Sequence, residues 1–315
     1  MRLMHITTIC VIGGAGFVGR HLCQQLAAQG YRVRVPTRDR ERAKALILLP
    51  TVDVVVADVQ DPAAQAELIQ GCDAVINLVG VLHDARGKRG FAAAHVELAR
   101  KIVAACRVTG VRRLLQMSAL AAATDAPSAY LRSKGEAEAI VRESGLDFTI
   151  FRPSVIFGPD DSFLNMFACL VRALPVIALA SPAARFQPVY VDDVAAAFVR
   201  ALPDIKTFGQ SYALCGPQRY TLRELVAYVG RITGRPRPIL GLNRALSYCQ
   251  ACAMEWLPVK LMTRDNLRSM EIDSVSDSAF PFGIKPRALE AVAPMWLATR
   301  TPRARYQQFR NTAGR

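Results

Sequence analysis

The stretch Ile9-Cys-Val-Ile-Gly-Gly-Ala-Gly-Phe-Val-Gly19 decides the fold, because an apolar run leads directly into a glycine-rich turn. The run Ile9 to Ile12 is typical of a buried strand, and from Phe17 to Leu26 the apolar residues repeat at helical spacing. A Gly-x-Gly-x-x-Gly turn between a strand and a helix surrounds a dinucleotide pyrophosphate with backbone N–H groups and the helix N-terminus. The sequence therefore predicts a dinucleotide site made by Gly13, Gly14, Ala15, Gly16, Phe17, Val18 and Gly19.

The glycines of this turn have separate expected roles. Gly13 is expected to let the chain turn sharply, and Gly14 and Gly16 to let the phosphates approach the backbone. Gly19 is expected to let the helix pack closely on the strand.

Apolar strands and helical patterns alternate over the first half of the chain, which is typical of right-handed βαβ units on a parallel sheet. Strands are predicted at residues 6–12, 31–35, 52–57, 74–79, 112–117 and 147–151, and a returning strand at 211–214. After Arg152-Pro153 helical patterns dominate, and from Arg235 onward no strand is evident. The predicted fold class is α/β, a Rossmann-type doubly wound parallel sheet with a smaller, mostly helical C-terminal substrate lobe. Residues 1–160 with 186–215 are assigned to the nucleotide-binding domain, and 161–185 with 216–315 to the lobe, which is expected over the carboxyl edge of the sheet.

The whole chain has 315 residues, of which 51% are hydrophobic, so it is long enough for a large core. No stretch has the length of a membrane span, and the first apolar run breaks at Gly13, so neither a membrane helix nor a signal peptide is predicted. We therefore expect a cytoplasmic protein, or one that is peripheral at the inner face of a membrane. The four histidines are scattered without ligand spacing, so no metal site is predicted.

The net charge of +14 indicates an anionic partner. An anionic membrane surface or an acidic protein-complex partner is favoured over nucleic acid, because no aromatic-plus-basic nucleic-acid motif is present. The C-terminal stretch from Arg300 to Arg315 carries five arginines and no acidic residue. It is interpreted either as a solvated tail or as a segment that contacts a membrane or a partner.

The end of the second strand bears on the choice of nucleotide. An acidic residue there favours NAD through the ribose hydroxyl, whereas an arginine favours NADP through the 2′-phosphate. Here Arg38 comes first and Asp39 follows, with further arginines at 40 and 42, so NADP(H) is favoured and NAD(H) stays open. The remaining predicted cofactor contacts follow the third, fourth and fifth strands: Asp58, Val59, Asn77, Leu78, Val79, Gly80 and Met117.

A candidate catalytic group follows the fifth strand. Ser118 ends that strand, and Tyr130 and Lys134 lie four residues apart on one face of the next predicted helix. An ammonium beside a phenol favours the phenolate and lowers its pKa. Tyr130 is then able to exchange a proton with a carbonyl or alcohol while a nicotinamide exchanges hydride, and Ser118 is placed to hydrogen-bond the same oxygen.

Together these residues resemble the extended or atypical short-chain dehydrogenase/reductase superfamily, over about residues 5–235. The resemblance is carried by the glycine turn, Asn77, Ser118, Tyr130-x-x-x-Lys134 and Arg152-Pro-Ser-Val-Ile-Phe-Gly-Pro159. Further runs are similar to one branch, the bacterial relatives of the NADPH-binding accessory subunit of respiratory complex I: Lys134-Gly-Glu-Ala-Glu138, Asp161-Ser-Phe-Leu-Asn165, Arg185-Phe-Gln-Pro-Val189, Val191-Asp-Asp-Val-Ala195 and Leu261-Met-Thr-Arg-Asp-Asn-Leu267.

The resemblance implies a nicotinamide cofactor bound by Tyr130 and Lys134 as well as by the turn. It also implies that the backbone at Pro153, Ser154, Val155 and Ile156 faces the nicotinamide. The branch implies less about chemistry, since its mitochondrial member holds NADPH as a structural cofactor and other relatives are linked to quinone biosynthesis. Only eleven residues separate Ser118 from Tyr130, a shorter loop than in typical extended members, which bears on whether Ser118 reaches a substrate.

Three functions follow from the sequence. The first is an NADP(H)-dependent oxidoreductase acting on an apolar, quinone- or isoprenoid-related substrate. The second is a non-catalytic NADPH-binding assembly or sensor subunit of a respiratory or quinone-biosynthesis complex. The third is a nucleotide-sugar epimerase or dehydratase, which Asp39 favours and Arg38 disfavours.

Overall fold

The computed structural model of the protein describes residues 4–82, 84, 90–256 and 262–298. These residues divide between two units. The first is drawn from Met1–Pro153, Val191–Leu214 and Asp277–Lys285, and the second from Ser154–Tyr190, Cys215–Ser276 and Pro286–Arg315. The arginine-rich C-terminal stretch lies outside the described residues, as does most of the polar segment between residues 83 and 89.

A seven-stranded parallel sheet forms the centre of the first unit. With strands numbered along the whole chain, its members are β1 (Thr8–Ile12), β2 (Arg32–Thr37), β3 (Val52–Val56), β4 (Ala74–Asn77), β5 (Arg113–Met117), β6 (Asp147–Pro153) and β11 (Gln210–Leu214). Their order in the sheet is β11-β6-β5-β4-β1-β2-β3, and every neighbouring pair is parallel. The strand order reverses direction between β1 and β4, which is where doubly wound sheets bind ligands. The predicted doubly wound fold is confirmed.

Helices cover the sheet, and their apolar sides explain why its central strands are buried along their whole length. The helices of this unit are α1 (Phe17–Ala28), α2 (Lys44–Ile47), α3 (Pro62–Ile69), α4 (Leu98–Thr109), α5 (Ala129–Arg142) and α7 (Val191–Ala201), with 3₁₀ turns at Arg40–Ala43, Ile205–Thr207 and Pro281–Gly283. Every residue of β4 and β5 is buried. This burial is typical of parallel strands that carry helices on both faces.

The helix between β4 and β5 does not begin as an α-helix. Ala92–Glu97 forms a π-helical segment that continues directly into α4. The wider π turn shifts the side chains that follow relative to ideal α spacing. The apolar pattern does not reveal this shift, because the segment consists mostly of small residues.

The second unit is mostly helical, as predicted. It contains α6 (Phe163–Ala173), α8 (Leu222–Ile232), α9 (Arg244–Glu255), α10 (Arg264–Ser269), α11 (Leu289–Val292) and α12 (Pro294–Leu297). It also has three two-stranded ladders, which pair β7 (Ile156–Phe157) with β10 (Val189–Tyr190), β8 (Ile177–Leu179) with β13 (Ile239–Gly241), and β9 (Arg185–Phe186) with β12 (Tyr220–Thr221). The expectation of no strand after Arg235 is therefore wrong. Ladders of two or three residues are too short to show an alternating pattern.

No helix in the described ranges is both long and apolar enough to cross a bilayer.

Candidate cofactor and active site

The glycine turn closes tightly between β1 and α1. Gly13 has a φ of +87°, and its carbonyl accepts a hydrogen bond from the Gly16 N–H at 3.0 Å. A Cβ on Gly19 would lie 2.4 Å from the Gly13 oxygen and 2.5 Å from the Gly14 Cα. A Cβ on Gly14 would lie 2.8 Å from a methyl of Val35 in β2. Close packing therefore excludes side chains at Gly14 and Gly19, whereas Gly13 is required by its left-handed backbone.

The first turn of α1 is open to a ligand. Gly16 is its N-cap and supplies no side chain to the helix N–H groups, and no acidic residue lies in that turn. Uncapped N–H groups and the positive end of a helix dipole together attract a phosphate. A Cβ on Gly13 would also approach the backbone of Leu78 and Val79 at 3.3 Å, so the turn lies against the end of β4. These features fit the pyrophosphate of a dinucleotide.

Beyond β2, the two candidate determinants of nucleotide choice differ in what they contact. The Asp39 carboxylate caps the short helix at Arg40 by accepting from the Glu41 N–H at 3.0 Å, and it also pairs with Arg42 at 3.5 Å. Arg38 is exposed and has no hydrogen-bond or ion-pair partner among the described residues. Beyond β3, the Asp58 carboxylate accepts from the Gln60 N–H at 3.0 Å. Of Arg38 and Asp39, Arg38 is therefore the one whose charged group makes no contact within the described part of the chain.

Ser118 and Lys134 lie at the carboxyl ends of β4 and β5. The Lys134 side chain is buried, and its Nζ donates to the Val79 carbonyl at 3.1 Å and the Met117 carbonyl at 3.4 Å. A Cβ on Gly80 would lie 3.2 Å from the same Nζ. The Ser118 hydroxyl is buried and has no hydrogen-bond partner within the described part of the chain. A buried hydroxyl without a partner is costly unless a ligand satisfies it.

Tyr130 is half-buried and packs against two rings of the preceding helix. Its ring centroid lies 5.9 Å from Phe91 and 5.7 Å from His95, in edge-on geometry. His95 Nε2 accepts from the Val81 N–H at 3.1 Å, and its Nδ1 is 2.8 Å from the Ser133 hydroxyl. The Ser133 hydroxyl donates to the Tyr130 carbonyl at 2.8 Å. This chain of hydrogen bonds joins the segment after β4 to the first turn of α5.

The pKa values of this group are set mainly by burial. Burial raises the pKa of Tyr130 to about 12, the direction opposite to the one expected from the nearby ammonium. Burial lowers the pKa of Lys134 to about 8, against the raising effect of the Glu138 carboxylate. Burial and the charge of Lys134 lower the pKa of His95 to about 2. At neutral pH Tyr130 is therefore a protonated acid, Lys134 is mostly charged and His95 is neutral.

The pKa of His95 has a consequence for stability. Its folded-state pKa lies below the usual 6.5, so the unfolded chain binds more protons between pH 6.5 and 2, and stability falls as pH drops through that window. Between pH 6.5 and 4.5 the loss due to His95 is about 2 kcal/mol. We expect a His95→Gln variant to lose less unfolding free energy over this pH range than the wild type. Denaturant titrations at both pH values check this, and equal losses in the two proteins would contradict it.

The loop between Ser118 and Tyr130 is held against α5 despite its shortness. A Cβ on Gly135 would lie 2.4 Å from the Ala123 backbone, and Ser128 caps α5 by accepting from the Leu131 N–H at 3.1 Å. Arg132 also donates to two carbonyls of this loop. The Leu120 N–H extends the pairing with β6 by donating to the Pro153 carbonyl at 3.0 Å. These contacts show that the loop packs directly on α5.

The predicted residues divide between the two units. The glycine turn, the residues after β2 and β3, Asn77 to Gly80, Met117, Ser118, Tyr130, Lys134 and Pro153 belong to the first unit. Ser154, Val155 and Ile156 belong to the second, where the Ser154 hydroxyl donates to the Ser274 carbonyl at 2.7 Å. The sequence analysis does not single out His95 or Ser133, which contact the segments beside Tyr130. His95 was considered only as a metal ligand, and no spacing rule connects it with Tyr130.

Residues 13–162 match the model of a family described as NAD(P)H-binding. Among curated relatives, the chain is 37% identical over 224 residues to NADH dehydrogenase (ubiquinone) 1 alpha subcomplex subunit 9, mitochondrial, of Arabidopsis thaliana, covering 68% of this chain and 55% of that protein. It is 31% identical over 296 residues to the Mus musculus protein of the same name, covering 89% and 77%.

A reductase and a solved structure are also similar. The chain is 34% identical over 232 residues to the (4-alkanoyl-5-oxo-2,5-dihydrofuran-3-yl)methyl phosphate reductase of Streptomyces griseus, covering 72% of this chain and 74% of that protein. The crystal structure of gox2253 has a TM-score of 0.65 and 25% identity, covering 85% of this chain and 88% of that one. These similarities cover both the nucleotide-binding part and much of the rest of the chain.

Proposed function

The chain belongs to the NAD(P)H-binding, atypical short-chain dehydrogenase/reductase superfamily, close to the subunit 9 relatives of complex I, and from this we propose that it is an NADP(H)-dependent reductase. The observation that supports this most is the buried Ser118 hydroxyl without a partner in the described ranges. It follows directly after Met117, whose carbonyl binds the Lys134 ammonium. A substrate oxygen bound there satisfies the hydroxyl.

The first unit offers contacts for the pyrophosphate, the 2′-phosphate and the nicotinamide half of the cofactor. The glycine turn and the first turn of α1 receive the pyrophosphate, and Arg38 receives the 2′-phosphate. Lys134 and the segment Asn77 to Gly80 receive the ribose and nicotinamide half. When bound, the reduced nicotinamide supplies the hydride.

The protonation state of Tyr130 is compatible with reduction. Its phenol, whose pKa burial raises to about 12, holds a proton at neutral pH and is able to give it to a carbonyl oxygen. With hydride supplied to the carbonyl carbon by a bound NADPH, the proton from Tyr130 would complete the alcohol, and the phenolate would regain a proton from water. The Lys134 ammonium stabilises the phenolate while it exists, and Ser118 donates a hydrogen bond to the substrate oxygen.

We further propose an apolar carbonyl substrate. Phe91 and His95 pack on the Tyr130 ring, and the loop from residue 119 to 128 consists mostly of small side chains. The Streptomyces griseus relative is named for an alkanoyl-bearing substrate, which agrees with this class.

A second candidate is an NADPH-binding subunit of a protein complex that performs no chemistry. The subunit 9 relatives support it, since the alignment covers 77% of the mouse protein. Asp39 is engaged as a helix cap and by Arg42, and this weakens the third candidate, an NAD-dependent epimerase or dehydratase.

The deciding experiment identifies the nucleotide that purified protein releases on denaturation. It then follows NADPH oxidation with a panel of alkyl ketones and short-chain quinones. We expect NADPH to be released and to be oxidised with at least one carbonyl or quinone. Released NAD would overturn the NADP assignment, and NADPH that stays reduced with every compound would favour the binding subunit.

The role of Arg38 gives a separate prediction. An Arg38→Ala variant should bind NADPH about tenfold more weakly, because a charge-assisted contact to the 2′-phosphate is lost. Its affinity for NADH should stay unchanged, since NADH lacks that phosphate. Fluorescence titrations with both nucleotides measure the two affinities, with Arg32→Ala, at the amino end of β2, as a control on the basic surface. Equal weakening for both nucleotides would remove Arg38 from cofactor selection.

A further inference from the structure

A closed ring of hydrogen bonds includes the Lys134 ammonium. Nζ donates to the Val79 and Met117 carbonyls, and the Met117 carbonyl also accepts from Gln116 Nε2 at 3.2 Å. Gln116 Oε1 accepts from Asn77 Nδ2 at 3.0 Å. The Val79 N–H donates to Asn77 Oδ1 at 3.1 Å, which closes the ring.

Pairing between β4 and β5 does not explain the position of this ring, although Met117 pairs with Phe151 of β6. Asn77 and Gln116 form the last register pair between β4 and β5. The two carbonyls that bind Lys134 therefore lie beyond the paired part of the β4–β5 ladder. Gln116 donates to the Met117 carbonyl, and Asn77 accepts from the N–H of Val79, the residue that supplies the other carbonyl. Both carboxamides are buried, with Asn77 1% and Gln116 3% exposed. Two apolar side chains of similar shape would fill the same space without the cost of burying amides.

We propose that Gln116 is a positioning residue for Lys134, acting through the Met117 carbonyl and through Asn77 so that the ammonium is aimed at the cofactor. The inference rests on the proposed function, in which Lys134 contacts the cofactor. An ammonium has three N–H donors, and the two carbonyls use two of them. Gly80 keeps the space beside Nζ clear of a side chain. Gln116 thus holds two of the three donors in place and leaves one for the ligand.

The groups around Lys134 set its pKa, so the effect of Gln116 on Lys134 should be measurable as a change in how NADPH affinity depends on pH. Glu138 on the same helix favours the charged ammonium, and His95 on the preceding helix is neutral. Hydrogen bonds from the ammonium to carbonyls also favour its charged form. The pKa of Lys134 is about 8, so its ammonium loses its charge within the pH range of a binding assay. Weaker hydrogen bonds should move this loss of charge to lower pH.

The first test is a Gln116→Met variant, which keeps the volume and removes both hydrogen bonds. We expect its NADPH dissociation constant at pH 7 to rise about tenfold. Titrations of NADPH fluorescence between pH 6 and 9 should show affinity lost at a lower pH than in the wild type. The second variant, Gln116→Glu, keeps the shape and the acceptor to Asn77 but adds a negative charge. It should move the loss of affinity to higher pH, because a carboxylate favours the charged ammonium.

Two control variants distinguish a failure of the proposed cofactor role of Lys134 from a failure of the positioning role of Gln116. Gln250→Met removes a comparable bond in the second unit, where Nε2 donates to the Ala178 carbonyl at 2.9 Å, and it should leave NADPH affinity unchanged. Lys134→Met should weaken NADPH binding and remove the dependence on pH above 7. If Lys134→Met binds like the wild type, the cofactor role of Lys134 in the proposed function is overturned. If Lys134→Met binds weakly but both Gln116 variants keep the wild-type affinity and pH profile, the positioning role of Gln116 is overturned.

Discussion

A Tyr130→Phe variant should lose about 10²–10⁴-fold in turnover while its affinity for NADPH stays the same. The Tyr130 phenol is the proposed proton donor, and it holds its proton at neutral pH because burial keeps its pKa high, at about 12. Phenylalanine keeps the ring contacts with Phe91 and His95, so the cofactor site should keep its shape. Steady-state rates with a carbonyl substrate and fluorescence titration with NADPH measure the two quantities.

The matched control is Tyr228→Phe in the second unit. Tyr228 is buried, and its hydroxyl has no hydrogen-bond partner among the described residues, so its removal should change neither turnover nor NADPH affinity. Full turnover in the Tyr130→Phe variant would remove Tyr130 from the mechanism. Loss of NADPH affinity in that variant would instead make Tyr130 a cofactor contact.

The second large effect is on stability and concerns Arg113 at the start of β5. Replacing it with methionine should lower the free energy of unfolding by about 3–5 kcal/mol. The guanidinium is fully buried and lies 4.7 Å from the Phe208 ring centroid. It donates at 2.7–3.0 Å to five acceptors: the carbonyls of Asp147, Ala201 and Leu202 and the hydroxyls of Thr149 and Thr207. Methionine fills part of the volume but leaves these buried acceptors without their donor.

The neighbouring residue provides the control. Arg112 is 65% exposed and pairs with Asp147 at 3.2 Å, and an Arg112→Met variant should change stability by at most about 1 kcal/mol. Urea titrations at pH 7 compare the two variants with the wild type. Burial lowers the pKa of Arg113 to about 10, so the guanidinium is charged under these conditions. Equal stabilities of the two variants would show that the contacts of Arg113 contribute no more than a surface ion pair.

Local sequence patterns were sufficient to predict the strands and helices that carry the candidate site. The apolar run before Gly13, the helical spacing after it and the strand ending at Ser118 were each predicted and lie where expected. Tyr130 and Lys134 were placed on one helix by their spacing alone. Such features depend on residues close together in the chain, so periodicity and turn chemistry reveal them.

Local sequence patterns did not predict the environment of these residues. The nearby ammonium predicts a lowered pKa for Tyr130, but desolvation of the buried phenol raises it instead. His95 was treated as a scattered histidine, yet it contacts Val81 and Ser133, which are 14 and 38 residues away. Adjacent arginines at 112 and 113 have the same local sequence, but one is exposed and the other fully buried.

By itself, the sequence determined the doubly wound sheet, the dinucleotide turn and the residue types at the carboxyl ends of the strands, because these follow from short-range spacing and from backbone sterics at glycine. Only the tertiary structure decided which polar groups are buried and what they bind. In the tertiary structure Gln116 lies opposite Asn77, and the Lys134 ammonium donates to two backbone carbonyls. The Ser118 hydroxyl has no hydrogen-bond partner in the described ranges. The physical reason is that desolvation and hydrogen-bond satisfaction depend on groups contributed by distant segments, which no local pattern records.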